Sequence, residues 1–478
     1  MKVRNPGAYR LLCAVFVLVC VATGPAAAQE FSERQEIAIF RLDYYGAPRD
    51  PVPRERTSVQ FGRVFGYERR VESETTDIFR RAVGAVDEHI RSVFINLGRF
   101  DVIGLNHRLN ADNVDAFIGL LRGHRERTLE LPEEVLLGEE AFTEQDFDRL
   151  VGGFIIVIPS VSYYNVAARG REYEAEIETS FTFIDARDQS TIGQFFVTTS
   201  GSDENAVAAM RAAVNGIAPQ LEYRLRSMDI FQLRSGVLDV AGRTVILELG
   251  RNLGVRRGDE FAIVHERRTP TGHRTVDETG MIVISDVREE FSIGRLLYSN
   301  PGVQVGDQLQ EVPRYGIDVT PYGNLIIPLD RRYGRSTFVA GVKATASRGY
   351  FRVRPQAGFE VPFTGTLLAF LFPANVYVGA ESNWYLGRLK LNPSFGVGFG
   401  GAVPFNDSLF SDDFYTTHVG GNLKLAASYL ITRDSMLVAE VGFAQWFGLY
   451  DKVFNETVVD RFFGSYGGIV VGLGLTFK

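Results

Sequence analysis

The sequence predicts a multidomain chain: an α/β domain with a mixed sheet, a small all-β domain, and a C-terminal eight-stranded antiparallel transmembrane β-barrel. Three observations carry this prediction. Residues 30–233 alternate strand and helix periodicities, and residues 235–312 contain an internal repeat with hairpin chemistry. From about residue 314, apolar residues occupy every second position, with glycine or polar residues between them. A chain of 478 residues with 45% hydrophobic content and a net charge of −7 is too apolar to be disordered and long enough for two to four domains.

Residues 1–28 read as a secretory signal peptide. Lys2, Arg4 and Arg10 precede an apolar run from Leu11 to Thr23, Gly24-Pro25 breaks it, and Ala26-Ala27-Ala28 supplies small residues for cleavage. That run is shorter than the roughly 20 residues a spanning helix needs. Both cysteines, Cys13 and Cys20, fall in this leader, so the exported chain has no disulfide, thiolate metal site or thiol nucleophile. Losing the leader takes the net charge from −7 to about −10, the wrong sign for nucleic acid. An exported protein without cysteine points to a bacterial envelope.

The α/β domain is assigned to residues 29–233. Glu36 to Leu42 reads as the first strand. A helix over about 75–97 follows, with Ile78, Val83, Val86, Ile90, Val93, Phe94 and Leu97 on one face and Gly98 as its stop. A strand at 100–105, a solvated acidic stretch at 130–148, and strands at 153–164, 172–185 and 191–200 come next. A last helix runs over about 203–226, strained near Gly216 and Pro219. On the strand at 172–185, Glu172, Glu174, Glu176 and Glu178 alternate with Tyr173, Ala175, Ile177 and Thr179, which places four carboxylates on one strand face about 7 Å apart. That face is either a solvated face paired with arginine or a contact surface for a basic partner.

Residues 235–312 carry the repeat: Gly254-Val-Arg-Arg-Gly-Asp-Glu-Phe261 and Gly302-Val-Gln-Val-Gly-Asp-Gln-Leu309. Each enters a Gly-Asp turn from an apolar residue and leaves into a strand. Without a second carboxylate or a Lys/Ser companion, the Gly-Asp step reads as a structural turn. Strands at 244–249, 260–266, 280–288 and 292–298 fit a small barrel.

Eight strands are predicted in residues 313–478, near 315–328, 335–346, 349–362, 374–386, 388–402, 414–431, 435–447 and 466–477. Connections after the second, fourth and sixth are tight, and those after the third, fifth and seventh are long, as expected for short periplasmic turns and longer outer loops. Alternation places Lys343, Arg352, Arg354, Glu360, Glu381, Lys390, Lys424 and Glu440 in the lumen, five cations and three anions. A paired, plugged interior is the expectation, and a narrow anion-preferring channel the alternative. Tyr350, Tyr377, Trp384, Tyr385, Tyr429, Trp446 and Phe447 are candidates for an interface girdle.

Three resemblances follow from these residues. Ile37-Ala-Ile-Phe40, Asn96 to Ile103, Gly152 to Val157 and Phe183 to Ile192 resemble, in order, the domain shared by the curli-secretion (CsgG) family and the middle domain of the flagellar basal-body T protein. Curli channels insert membrane hairpins in this domain, but here Tyr67 to Glu74 is too charged to face lipid. The Gly-Asp repeat and its strands resemble the C-terminal domain of the same flagellar protein. The last segment resembles the OmpA-type barrel family, whose assembly signal is approximated by Gly472, Leu475 and Phe477. Leu475 stands where that family has an aromatic, and Lys478 follows the phenylalanine.

His89, His107, His124, His265, His273 and His418 lack metal-ligand spacing, and no nucleotide loop, serine elbow or His-Glu-x-x-His pattern occurs. The outer-loop carboxylates Asp407, Asp412, Asp413, Asp451, Glu456 and Asp460 have no partner histidine nearby. The expectation is therefore a non-enzymatic outer-membrane protein without cofactor or metal. Its expected partners are membrane lipid, the barrel assembly machinery and a periplasmic protein that its soluble domains scaffold. A surface receptor or adhesin acting through the long loops, and a channel or secretion component, are the alternatives.

Overall fold

A computed structural model describes residues 32–44, 78–79, 81–82, 86–109, 113–129, 134–137, 140–150, 154–188, 190–268, 271, 273–329, 336–363, 371–404, 415–448 and 465–478. The leader, the Tyr67–Glu74 segment and the loop carboxylates from Asp407 to Asp460 lie outside these residues.

The first domain is a five-stranded sheet built from β1 (Gln35–Arg41), β2 (Phe100–Arg108), β5 (Ile155–Arg169), β6 (Glu172–Asp185) and β7 (Thr191–Asp203). Across the sheet the order is β2-β1-β5-β6-β7. β1 pairs parallel with β2 and β5, and the remaining pairs are antiparallel, so the sheet is mixed. Helix α1 (Val86–Leu97) crosses over between β1 and β2, burying Val86, Ile90, Val93, Phe94 and Leu97 every third or fourth position.

One face of the sheet is covered by α2 (Val114–Arg125), a hairpin of β3 (Glu134–Leu137) and β4 (Glu140–Thr143), and α3 (Glu144–Leu150). The stretch expected to be solvated thus contributes Leu137, Phe142 and Phe147 to a core of its own. Its charge density masked three apolar residues that a sheet face needs covered. The closing helical segment is two helices, α4 (Ala206–Asn215) and α5 (Ile217–Ser227), separated at Gly216. Pro219 falls in the first turn of α5, where its missing N–H has no helical acceptor to lose. Both helices share a core with α1 on the other face of the sheet.

The second domain is a closed barrel of six strands: β8 (Arg234–Ala241), β9 (Thr244–Leu247), β10 (Glu260–Arg268), β11 (Arg274–Val287), β12 (Ser292–Ser299) and β13 (Gln308–Val312). They follow the order β10-β11-β12-β9-β8-β13. Leu247, Phe261, Ile263, Ile282, Ile284 and Leu309 fill the interior.

The third domain comprises β14 (Ile317–Ile327), β15 (Thr337–Ala346), β16 (Val353–Phe363), β17 (Leu371–Ser382), the short β18 (Trp384–Leu386), β19 (Leu389–Pro404), β20 (Tyr415–Thr432), β21 (Ser435–Gly448) and β22 (Tyr466–Phe477). β18 continues β17 after a break at Asn383, so the count is eight. Neighbours pair antiparallel throughout; β14 pairs with β22 and β17 with β19, which closes the barrel and leaves no sheet edge.

Candidate functional site

Burial in the third domain alternates with strand register in the inverse sense of a soluble core. Val342, Phe359, Val378, Phe395, Val397, Leu423, Leu425, Leu437, Phe443, Val471 and Leu473 are exposed, while charged residues on the same strands are buried. Trp384, Tyr429 and Phe447 face outward, as a girdle requires, but Tyr377 and Trp446 point inward. Those two share the parity of Glu381 and Glu440 on their strands, and register outranks aromatic identity.

The structure brings seven of the eight predicted lumen charges together. Lys343 pairs with Glu381 at 3.3 Å, and Lys390 approaches the same carboxylate at 3.9 Å. Lys424 bridges Glu440 at 2.9 Å and Glu360 at 3.5 Å, and lies 4.6 Å from the ring centroid of Tyr322. The Tyr322 hydroxyl donates to Glu360 at 2.7 Å, and the Asn324 amide donates to Glu440 at 2.7 Å. Gly472 leaves the space that Asn324 fills, since a Cβ there would sit 1.6 Å from the Asn324 side-chain oxygen. Leu475 and Phe477 lie on the same strand with Phe477 on the outer surface.

Arg352 is the exception. β16 begins at Val353, so Arg352 belongs to the preceding turn, where no ladder enforces alternation, and its side chain is exposed. Asp318, absent from the predicted set, takes its place in the count by pairing with Arg354 at 2.9 Å. The described strands therefore carry four cations (Lys343, Arg354, Lys390, Lys424) against four carboxylates (Asp318, Glu360, Glu381, Glu440), all inward. Among the described residues the interior charges are therefore balanced and mutually paired.

The second feature is where the small barrel sits. It covers the end of the large barrel that carries the tight turns and both barrel termini. Met281, Val283 and Leu297 of the small barrel form one buried cluster with Leu430 and Met436 of the large one. Each tight turn is held: the Gly349 amide donates to the Arg257 carbonyl at 2.7 Å, Arg388 lies 4.0 Å over the Tyr298 ring, and Arg433 pairs with Glu278 at 3.1 Å. Lys478, the last residue, pairs with Glu260.

A buried ionic network then joins all three domains. Glu311 on β13 accepts from Arg99 at 2.8 and 3.2 Å, from Arg226 at 2.7 Å and from the Leu233 amide at 3.2 Å. Asp259 accepts from Arg226 at 3.3 Å, Arg348 at 3.0 Å and the Arg256 amide at 2.8 Å. Glu260 accepts from Arg314 at 3.0 Å, and Arg314 reaches on to Asp434 at 2.5 Å. Arg348 also pairs with Glu222. Burial raises the carboxyls of Glu260 and Glu311, but their cations outweigh it: Lys478 and Arg314 hold Glu260 down at about 2, and Arg99 and Arg226 do the same for Glu311. For Asp259 burial dominates and pushes it up to about 6, with Arg226 offsetting only part.

The Gly-Asp repeat is a turn, and its first copy is also the dock. A Cβ on Gly254 would lie 1.6 Å from the Leu97 carbonyl oxygen at the end of α1, and one on Gly258 would lie 2.1 Å from the Ser347 carbonyl oxygen in the first tight turn. In the second copy, a Cβ on Gly306 would meet open space. Sequence reasoning missed the network because its members are spread from Arg99 to Lys478. One signal was available: the first copy continues Asp259-Glu260 where the second has Asp307-Gln308, placing an extra carboxylate at the head of a core strand. Glu172, Glu174, Glu176 and Glu178 lie away from all of this on the outer part of β6; Arg169 pairs with Glu174 at 2.8 Å, and Ser162 donates to Glu178 at 2.9 Å.

Apolar outside, charged within, closed, and capped at its tight-turn end by the small barrel, the third domain places the chain in the transmembrane β-barrel class. Residues 242–311 match the family described as Flagellar assembly protein T, C-terminal domain, which is the small barrel. No curated protein matches the chain. Among solved structures, it is similar to Neisserial surface protein A, at 14% identity and a TM-score of 0.25 over 34% of this chain and 97% of that one. It is also similar to the N-terminal β-barrel domain of Pseudomonas aeruginosa OprF, at 12% identity and a TM-score of 0.21 over 34% and 95%. A major outer membrane protein from Thermus thermophilus is 15% identical with a TM-score of 0.20 over 34% and 98%. At these scores the barrel assignment rests on closure, strand count and sidedness.

Proposed function

We propose that this is a non-enzymatic outer-membrane anchor of OmpA-type size that holds a rigid periplasmic body of curli-secretion and flagellar-T type for docking basal-body or secretion components. The observation that carries the reading is the coupling: every tight turn of a self-paired barrel is fastened to the small barrel, which is in turn fused to the α/β domain through buried ion pairs. A conducting pore needs an open mouth, whereas here Met281, Val283 and Leu297 sit over it. A scaffold needs a fixed geometry between membrane and partner, and buried, multiply satisfied charges specify one arrangement. The match of the small barrel to a flagellar assembly domain supports a basal-body setting.

The test is a fractionation and cross-linking experiment. The full chain is expected in the outer-membrane fraction, electrically silent in planar bilayers, with a photo-cross-linker at Glu176 yielding a discrete protein adduct in intact cells. Release by carbonate, or steady conductance that persists with the periplasmic body attached, refutes the reading.

A further inference from the structure

Where the small barrel meets the first tight turn, a groove of about 450 Å³ opens, lined by Arg257, Asp286, Tyr350, Phe351, Arg352 and Val353. Three features distinguish it. Val353 is the first residue of β16 on the outer apolar surface, and Tyr350 is exposed beside it, so one wall is continuous with the belt. The opposite wall carries Arg257, paired with Asp286 at 2.6 Å; Arg288, outside the lining, reaches the same carboxylate at 3.0 Å. Arg352, displaced from the lumen by the start of the ladder, is exposed and has no ion-pair partner among the described residues. The groove therefore combines a net charge of about +1, from Arg257 and Arg352 against Asp286, with an amphipathic rim that continues the outer apolar surface of the barrel.

We propose that this groove binds the headgroup of an anionic phospholipid of the periplasmic leaflet, with Arg352 and Arg257 taking the phosphate and Tyr350 and Val353 lying along the glycerol and first methylenes. Guanidinium forks match phosphate oxygens, and the Gly349–Arg257 backbone hydrogen bond keeps the two segments that carry the arginines side by side. A lipid here would wedge between the two barrels and tie the periplasmic body to the leaflet. The inference rests on the outer-membrane reading, and the experiment separates the two.

The full chain is reconstituted in nanodiscs of phosphatidylcholine with and without phosphatidylglycerol, and bound lipid is counted by native mass spectrometry after detergent ejection. Insertion into either disc tests the membrane reading alone. The expected result is selective retention of one phosphatidylglycerol, reduced about tenfold in Arg352→Gln and further in the Arg257→Gln double variant, but not in Arg211→Gln on exposed α4, which removes a charge elsewhere. Competition with inorganic phosphate separates the two sources of the same chemistry: retention unaffected by millimolar phosphate supports the lipid, and displacement by phosphate overturns it. Equal retention of phosphatidylcholine, or no loss in Arg352→Gln with insertion intact, also overturns the proposal.

Discussion

Replacing Glu311 by glutamine preserves shape while removing the one carboxylate that satisfies both Arg99 and Arg226. Arg99, Arg226 and Glu311 are each at most 3% exposed, so water cannot substitute for the lost charge. Breaking a buried ion pair by removing one partner costs about 3–5 kcal/mol, far more than the pair is worth against an apolar replacement, because an uncompensated charge stays behind. Here Arg226 keeps Asp259 at 3.3 Å, while Arg99 is left with the Phe231 carbonyl at 2.8 Å and no carboxylate. The Leu233 amide also donates to this carboxylate, and glutamine can accept that bond in only one orientation. The expected outcome of amide hydrogen exchange on the full chain in detergent is faster exchange at Leu233 and along β13 by about a hundredfold or more, which is the opening free energy lost. Strands at the far end of the large barrel should be unchanged. The exposed pair Arg251–Glu289, 3.8 Å apart, serves as control: Glu289→Gln should shift nothing beyond about 1 kcal/mol. A change below tenfold at Leu233 in Glu311→Gln would show that the junction is not held by this network.

Four other perturbations probe different parts of the argument. Gly254→Ala, with φ +76 and its Cβ driven into the Leu97 carbonyl, should separate the α/β domain from the small barrel and expose the 228–234 segment to protease, whereas Gly306→Ala, at φ +91 in open space, should show backbone strain of about 1 kcal/mol and no new cleavage. For pH, Glu260 and Glu311 have folded values below their usual 4.5, so their stabilisation is present above 4.5 and lost as pH falls toward 2, whereas Asp259, raised from 3.8 to about 6, stabilises below 3.8 and loses that as pH rises through 6. Junction stability followed by exchange should therefore peak near pH 4, and Asp259→Asn should flatten only the alkaline limb. Leu423→Arg, at a position 66% exposed midway along β20, should cost about 2–4 kcal/mol in urea unfolding from vesicles, while Leu136→Arg, 73% exposed in the α/β domain, should cost almost nothing; equal costs would contradict lipid contact. Lys424→Met, leaving Glu360 and Glu440 unpaired, should lower the same unfolding free energy by about 3–5 kcal/mol and be partly rescued by Glu440→Gln.

The eight strands were legible in residue order because lipid imposes a period of two on every strand of a closed barrel, and a violation would bury a charge in hydrocarbon. By the same rule Lys343, Arg354 and Glu440 are expected inward, and in the structure they are buried, whereas Arg352 is exposed where the ladder has not yet begun. The mixed sheet was legible from strand and helix periodicity, but its second covering layer was not, because Leu137, Phe142 and Phe147 are scattered among carboxylates with no sustained period. The repeat announced two equivalent turns; that one is wedged between Leu97 and Ser347 while the other faces open space is decided by which surfaces meet.

What the sequence determined by itself is therefore what local periodicity sets: the strand number of the large barrel, the alternation along each of its strands, and its tight turns. Only the tertiary structure decided that the small barrel closes the mouth of the large one and that five cations and five carboxylates, from Arg99 to Lys478, meet at one junction. Pairing between residues hundreds of positions apart leaves no periodic trace, since each partner obeys its own element's pattern and the match exists only once the domains have docked.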